Sequence, residues 1–146
     1  MDCLDGVLLS PLKIIENDKG NIFHALKCTD PSYSGFGEAY FSAIKKNEIK
    51  GWKQHTEMTL NLIVPVGDIK FVLFDERPTS ITKGKFWEIE IGKKNYQRLT
   101  IPPHIWLAFQ GLDARESLLL NIANILHNPT EGINKALNEL DYEWYA

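Results

Sequence analysis

The chain has few cysteines and no long apolar run, and both shortages limit what it can be. Only Cys3 and Cys28 occur among 146 residues, and they form no Cys-x-x-Cys pair. Two widely separated cysteines give no disulfide framework, so we expect a reducing, cytoplasmic setting. No apolar run approaches the roughly 18 residues of a membrane span. The N-terminus carries Asp2 and Asp5 instead of a basic and then apolar leader, so no secretion signal is expected either.

Neither sign of charge is in large excess. The net charge is -3 and the pI is about 5.8, which argues against a general binder of nucleic acid or of a membrane surface. The composition, 44% apolar and 24% charged, is that of an ordinary folded protein. A length of 146 residues fits one domain, 1–146, with a substantial core.

Helical periodicity is also missing from most of the chain. Short segments rich in β-branched and aromatic residues are separated by turn signals, a pattern that predicts a β-sandwich or barrel. A parallel α/β fold is not expected, because no helical stretch lies between these segments. The predicted strands are Val7–Leu9, Leu12–Ile15, Ile22–Leu26, Glu38–Ile44, Ile49–Lys53, Met58–Val64, Ile69–Asp75, Trp87–Ile91, Arg98–Ile101, Trp106–Gln110 and Leu118–Asn124.

Two neighbouring strands in the middle of the chain are unusually apolar. Met58–Val64 and Ile69–Asp75 are dense in apolar residues rather than alternating. Such runs are typical of strands covered on both faces, by the chain itself or by a dimer partner. The turn Val66-Gly67-Asp68 between them predicts a tight hairpin.

The C-terminal segment has the pattern of a short helix. Asn128 is a good cap, Pro129 suits the first helical position, and Glu131 places an acid in the first turn. Apolar residues then recur at helical spacing. We expect this helix to pack on the barrel, although it would also suit a partner. Its apolar face would consist of Ile133, Ala136, Leu137 and Leu140.

The segment Ile49-Lys50-Gly51-Trp52-Lys53-Gln54-His55 concentrates groups that could carry chemistry. In an extended strand Gly51, Lys53 and His55 share one face, and Lys50, Trp52 and Gln54 the other. Lys53 should favour the neutral imidazole of His55, which can then accept a proton. The lysine could also stabilise an enolate, the intermediate in removing a proton next to a ketone. That chemistry needs neither a metal nor an organic cofactor.

Each of these residues also has a plain structural interpretation. A lysine and a histidine at the end of a strand often form a solvated surface feature, and Trp52 is by default a packing residue. Asp75 and Arg77 would by themselves form a salt bridge at a strand end.

Several motifs, taken in order, extend the interpretation. Lys50-Gly51-x-x-x-His55 and Asp75-x-Arg77-x-x-Ser80-x-Thr82-x-Gly84 are preceded by the turn Asp18-Lys19-Gly20 and followed by Ile101-Pro102-Pro103. Together they resemble the cupin-type dTDP-4-dehydrorhamnose 3,5-epimerases and the related 3,4-ketoisomerases of nucleotide-linked 4-keto-6-deoxy sugars. The resemblance runs from Asp18 to Pro129.

The resemblance implies a fold, a reaction and a set of site residues. The fold would be an all-β cupin jelly-roll barrel, and the protein a homodimer that exchanges N-terminal strands. The reaction would be epimerisation or ketoisomerisation of a nucleotide sugar in surface-polysaccharide biosynthesis, without a cofactor. His55 would be the base and Lys53 its electrostatic helper. The implied substrate-binding residues are Lys19 and Lys50 for the diphosphate, Tyr33, Tyr40 and Trp52 for stacking, and Arg77.

The chain also departs from the family pattern at three positions. Lys53 stands where the 3,5-epimerases have their catalytic histidine, and Leu107 stands where they have a second histidine. Leu120 lies near the position of the tyrosine that serves as their general acid. His55 matches the second histidine of the ketoisomerases. A lysine at position 53 would repel a divalent cation, so no metal is expected. The alternative to an enzyme is a cupin that has lost catalysis and binds a nucleotide sugar or serves as a partner subunit.

Overall fold

The computed structural model describes residues 3–145, and it is built almost entirely of β-strands. All eleven predicted strands are present, and the all-β prediction is confirmed. A twelfth strand and one turn of 3-10 helix, Leu137–Glu139, follow near the C-terminus. The strands are β1 Leu8–Pro11, β2 Ile14–Ile15, β3 Ile22–Phe23, β4 Glu38–Ile44, β5 Ile49–His55, β6 Leu60–Val66, β7 Asp68–Asp75, β8 Phe86–Gly92, β9 Gln97–Ile101, β10 Ile105–Gly111, β11 Ser117–Ala123 and β12 Gly132–Asn134.

Two five-stranded antiparallel sheets form the jelly-roll barrel. The first has the order β1-β9-β6-β11-β4, the second β12-β5-β10-β7-β8, and β2 and β3 form a separate small ribbon. From β4 to β7 the chain changes sheet at every step, which is why strands close in sequence face each other across the core. Fully buried side chains such as Leu62, Phe71 and Leu99 fill the space between the sheets.

The predicted tight hairpin at Val66-Gly67-Asp68 is wrong. β6 pairs with β9 and β11 in the first sheet, whereas β7 pairs with β8 and β10 in the second. Gly67 has a positive φ of 85° and packs against Ser117, where a Cβ would lie 2.2 Å from the hydroxyl oxygen. A residue with a side chain would not fit, so glycine lets the chain turn a corner from one sheet to the other.

The dense apolar runs are explained by burial on both faces, as expected. On the outer face of β6, Asn61 donates a hydrogen bond to the carbonyl of Ser32 in the preceding loop. On the outer face of β7, Val72 packs under the C-terminal segment. The loop before β4 and the C-terminal segment therefore cover the outer faces of these strands at Asn61 and Val72.

The predicted helix beginning at Asn128 is also wrong. Residues 128–131 form a turn, in which the Asn128 side chain accepts a hydrogen bond from the backbone of Thr130. The next three residues then pair with β5 as strand β12. Without them β5 would be an exposed edge with unsatisfied backbone groups, and this pairing outweighs the helical spacing of the apolar residues.

The end of the chain packs on the outer surface of the second sheet. Leu137, Leu140, Tyr142 and Trp144 contact a cluster centred on Trp52, which is fully buried. The indole nitrogen of Trp52 donates to the carbonyl of Leu137 at 3.2 Å. Within residues 3–145 there is no helix long and apolar enough to cross a membrane.

Candidate functional site

A cavity of about 210 Å³ opens between the two sheets. The second sheet contributes three polar residues from β5, apolar residues from β10 and one asparagine from β12, and the first sheet contributes residues from β4, β6 and β11. This volume is below the roughly 300–1,000 Å³ of pockets that enclose a whole drug-sized ligand. It suits a single ring with the rest of a ligand at the mouth. The lining residues are Tyr40, Lys50, Gly51, Lys53, His55, Leu60, Leu107, Phe109, Asn121 and Asn134.

A bulge in β5 decides which side chains reach this cavity. Lys53 lies opposite Leu107 and Gly51 opposite Ala108, so Trp52 is an extra residue on its strand. The strict alternation predicted from the sequence is therefore wrong at this point. Lys50, opposite Phe109, lies on the cavity side together with Lys53 and His55, while Trp52 and Gln54 lie outside.

Gly51 is required where the bulge approaches the neighbouring strand. Its φ is 146°, and a Cβ at this position would lie 2.4 Å from the Cβ of Ala108. Only glycine fits so close a contact, which explains the glycine between Lys50 and Trp52.

His55 is joined to a carboxylate that the sequence did not reveal. Its Nδ1 lies 2.6 Å from Oε1 of Glu131, the residue just before β12. The other carboxylate oxygen, Oε2, accepts hydrogen bonds from the backbone N–H groups of Glu57 and Met58, each at 2.9 Å. The carboxylate is thus clamped on three sides, and it fixes the orientation of the imidazole.

Glu131 is held in its ionised form. Burial raises the pKa of this carboxyl, but the hydrogen bonds from Glu57, His55 and Met58 outweigh it and lower the pKa to about 2. A carboxylate can only accept hydrogen bonds, so Nδ1 of His55 carries the proton. The Nε2 atom of the neutral ring then has its lone pair free to accept a proton, the arrangement a general base requires.

Two ammonium groups share the cavity with this pair. Lys50 Nζ donates to the carbonyl of Ala43 at 2.6 Å and to the hydroxyl of Ser42 at 3.1 Å. Lys53 forms no hydrogen bond or ion pair with any residue between 3 and 145, and its stem passes over Gly132, which leaves room for it. Lys53 therefore presents a free positive charge for an anionic group.

The opposite wall carries a phenol and an amide. Tyr40 on β4 and Asn121 on β11 are direct cross-strand neighbours, and Nδ2 of Asn121 donates to the Tyr40 hydroxyl at 3.1 Å. Asn121 is buried, and its Oδ1 has no hydrogen-bond partner among residues 3–145. Along β11 the buried residues are Ser117, Leu119, Asn121 and Ala123, which places Asn121 on the inward face, but the apolar run around it gave no sequence signal for this role.

Four of the predicted substrate-binding residues lie outside the cavity. Trp52 has no exposed ring face, so its predicted stacking on a ligand is wrong and its role is packing. Lys19 lies in the turn between β2 and β3, and Tyr33 lies in the loop that follows β3. Neither contributes to the lining of the cavity.

Arg77, the fourth, belongs to a structural network. Its guanidinium binds Asp75 at 2.9 Å and the carbonyl of Asp5 at 2.5 Å. Ser80 and Thr82 also donate to Asp75, at 2.5 and 2.6 Å. Burial raises the pKa of Asp75, but these hydrogen bonds outweigh it and hold that pKa well below its usual range. The residues from Asp75 to Thr82 that match the family spacing therefore hold the loop between β7 and β8 together through these hydrogen bonds.

Leu107 and Leu120, two of the positions at which the chain departs from the family pattern, differ in whether they line the cavity. Leu107 lines the cavity beside Lys53, so an apolar side chain stands in the site itself. Leu120 does not, because the inward positions of β11 are its neighbours Leu119 and Asn121. Among residues 3–145, no three His, Cys, Asp or Glu side chains are grouped so that they could hold a metal ion.

The fold is that of a cupin-type barrel in which His55, paired with Glu131, lines the cavity, and a solved structure shares this fold. The crystal structure of a dTDP sugar isomerase from Desulfovibrio desulfuricans superposes with a TM-score of 0.93 at 34% identity, covering 97% of this chain and 92% of that one. No family model matches the sequence.

Two curated relatives are also similar to this chain in sequence. A probable low-salt glycan biosynthesis epimerase of Haloferax volcanii is 25% identical over 130 residues, 88% of this chain and 83% of its own. The spore coat polysaccharide biosynthesis protein SpsL of Bacillus subtilis is 24% identical over 134 residues, 92% of this chain and 89% of its own. The chain belongs to the family of dTDP-sugar isomerases and epimerases.

Proposed function

We propose that the protein moves a proton at a carbon next to the ketone of a nucleotide-linked 4-keto-6-deoxy sugar, as an epimerase or ketoisomerase of surface-polysaccharide biosynthesis. The observation that carries this proposal is the His55–Glu131 pair facing a cavity that also holds two lysines. The similarity to a protein described as a dTDP sugar isomerase supports it.

In the proposed reaction His55 is the base. Nε2 takes the proton from carbon while Glu131 stabilises the imidazolium that forms through Nδ1. The electrons of the broken C–H bond delocalise onto the ketone oxygen, and the free ammonium of Lys53 stabilises the resulting enolate. These steps involve only protons and fixed charges, so the protein needs no redox group for them.

The lysines also suggest how the ligand is oriented. Lys50 uses two of its three N–H groups on Ser42 and Ala43, which leaves one for a diphosphate oxygen. The small cavity would then take the sugar, with the nucleotide at the mouth.

A second function is favoured by Leu107. An apolar side chain in the cavity, at the position of a family histidine, fits a module that binds a nucleotide sugar without turning it over. One measurement separates the two functions. The protein is incubated in deuterated water with dTDP-4-keto-6-deoxyglucose, and the sugar is analysed by NMR and mass spectrometry. Deuterium at the carbon next to the ketone supports the enzyme, whereas tight binding without exchange supports the module.

We also propose that the protein is a homodimer. Phe41 and Val66 are 62% and 38% exposed on the outer face of the first sheet, opposite Leu120 and Leu118 respectively. β4 is also an unpaired edge of that sheet. A second copy would cover both the apolar face and the edge. Sedimentation at micromolar concentration should give twice the chain mass of 16.7 kDa, and Phe41→Asp should give the monomer. A wild-type monomer would contradict the proposal.

A further inference from the structure

A second cavity lies at the outer surface of the second sheet, away from the one between the sheets. It is an open cleft of about 450 Å³ between the end of β5, the loop after β7 and the turn before β10. The two cavities share no lining residue, and the proposed reaction uses none of the side chains in this second one. We call it the outer cleft, and its lining residues are Gln54, Glu76, Arg77, Pro78, Thr79 and His104.

Gln54 brings an unpartnered amide to the outer cleft. The residue is only 9% exposed and lies opposite the buried Trp106 of β10. Its side chain lines the cleft and forms no hydrogen bond with any residue between 3 and 145. Buried polar groups are nearly always hydrogen-bonded, because an unmade bond costs the full desolvation of the group. This amide must therefore take its partners from whatever fills the cleft.

His104 is held in a conformation that favours glycine, and its imidazole lines the same cleft. Its φ is 70°, in the left-handed region, which is unfavourable for residues with a Cβ. Its backbone N–H donates to the carbonyl of His55 at 2.7 Å, a bond that glycine could make without strain. The imidazole has no hydrogen-bond partner within residues 3–145. Local strain of this kind is typically retained at ligand sites, so we interpret the histidine as a ligand contact.

The charges around the outer cleft indicate a neutral ligand. Glu76 pairs with Lys135 at 3.5 Å, and Arg77 pairs with Asp75 at 2.9 Å. A phosphate would therefore find no unpaired arginine or lysine among the lining residues. The other polar lining groups, an amide, a hydroxyl and an imidazole, can each donate as well as accept a hydrogen bond. The hydroxyl groups of a sugar have the same double character, and two neighbouring ones can meet both atoms of one amide.

We propose that the outer cleft is a second ligand site, which binds a neutral sugar ring through its hydroxyl groups. Gln54 meets two adjacent hydroxyls and His104 a third. Glu76, whose Oε1 accepts from Trp106 and Lys135, keeps Oε2 for a further hydroxyl. The volume of the cleft lies within the range of small-molecule sites. The site does not depend on the proposed function, because it takes a free sugar and not the nucleotide-linked ketone.

The test is binding of free sugars while the cavity between the sheets is filled. Saturation-transfer NMR is recorded with D-glucose, L-rhamnose and N-acetylglucosamine at millimolar concentration, first without and then with saturating dTDP. We expect at least one sugar to bind, and its signal to persist with dTDP. Gln54→Leu should raise the Kd of that sugar about tenfold, because its hydrogen bonds to the amide are lost. Gln110→Leu is the matched control and should leave the Kd unchanged, since Gln110 is a similarly buried glutamine, 5% exposed, outside the cleft.

His104→Gly distinguishes a binding role from a structural one. Glycine keeps the backbone bond to His55 and removes the strain, so the Tm should not fall while the Kd of the sugar rises severalfold. An unchanged Kd in both Gln54→Leu and His104→Gly would overturn the assignment, as would a sugar signal that dTDP abolishes or a failure of all three sugars to bind. If dTDP does not bind, loss of the sugar signal in Gln54→Leu still supports the site, and only nucleotide recognition under the proposed function is refuted.

Discussion

Replacing Glu131 by glutamine tests the His–carboxylate pair more directly than removing the histidine does. The change keeps the size of the side chain and removes only its charge. Oε2 accepts two backbone N–H groups, from Glu57 and Met58, so the amide oxygen of the glutamine must take that place. Its NH₂ group then faces Nδ1 of His55 at the position of Oε1, 2.6 Å away in the wild type.

The consequence is a reversed tautomer. An NH₂ group can only donate, so Nδ1 of His55 must become the acceptor and the ring proton moves to Nε2. The imidazole then has no lone pair directed at the substrate. The corresponding change of aspartate to asparagine in the serine protease triad costs about 10⁴-fold in kcat. We expect a loss of about 10⁴-fold here, equal to about 5 kcal/mol of transition-state stabilisation.

The assay is the initial rate of deuterium incorporation next to the ketone. Glu57→Gln is the matched control, because only the backbone of Glu57 contacts Glu131, and it should keep the wild-type rate. Glu131→Asp should recover part of the loss, since it restores a charged acceptor. A Glu131→Gln variant that binds dTDP normally and exchanges within tenfold of wild type would refute the proposed role of the pair.

Three further outcomes follow from the same structure. Lys53→Ala should lower turnover strongly and dTDP affinity little if the ammonium acts on the enolate. A loss of affinity with unchanged turnover, measured by calorimetry and steady-state kinetics, would contradict this. Trp52→Ala should cost about 3–5 kcal/mol of stability, a fall in Tm of roughly 10 °C, whereas the control Ile81→Ala, at a residue 85% exposed, should leave Tm unchanged. A fall of less than 3 °C for Trp52→Ala would show that the tryptophan does not anchor the C-terminal segment. The pKa of Glu131, about 2 when folded against 4.5, predicts stability that is fully present above pH 4.5 and lost as the pH falls towards 2. Urea titrations should show Glu131→Gln with a flatter acid limb, and an unchanged limb would contradict the low pKa.

The sequence predicted strands better than it predicted their partners. The composition and turn signals located all eleven predicted strands, and Glu38–Ile44 has identical bounds in the structure. The pairing of β6 and β7 could not be deduced in this way, because a glycine turn between two apolar runs is compatible with a hairpin and with a corner. Which of them forms depends on partners far along the chain, such as β9 and β11.

The site was predicted in part, for similar reasons. Lys50, Lys53 and His55 are neighbours in sequence and could be found there, although the bulge at Trp52 changed which of them share a face. Glu131 was assigned to a helix because its apolar neighbours have helical spacing. Gly132 was the contrary signal, since glycine is unfavourable inside a helix. Tyr40 was predicted as a stacking residue, and its hydrogen-bonding partner Asn121 is evident only once β4 and β11 are paired.

The contact between His55 and Glu131 spans 76 residues of sequence, and this separation bears on how the protein acquires activity as it folds. Long-range contacts form late because the entropy of closing long loops must first be overcome. Strand β12, which places Glu131, can pair only after β5 has a sheet to belong to. During refolding, the ability to incorporate deuterium into the sugar substrate should therefore recover later than the circular dichroism signal of the β-sheet. Enzymatic activity would therefore appear last, after the barrel has already formed.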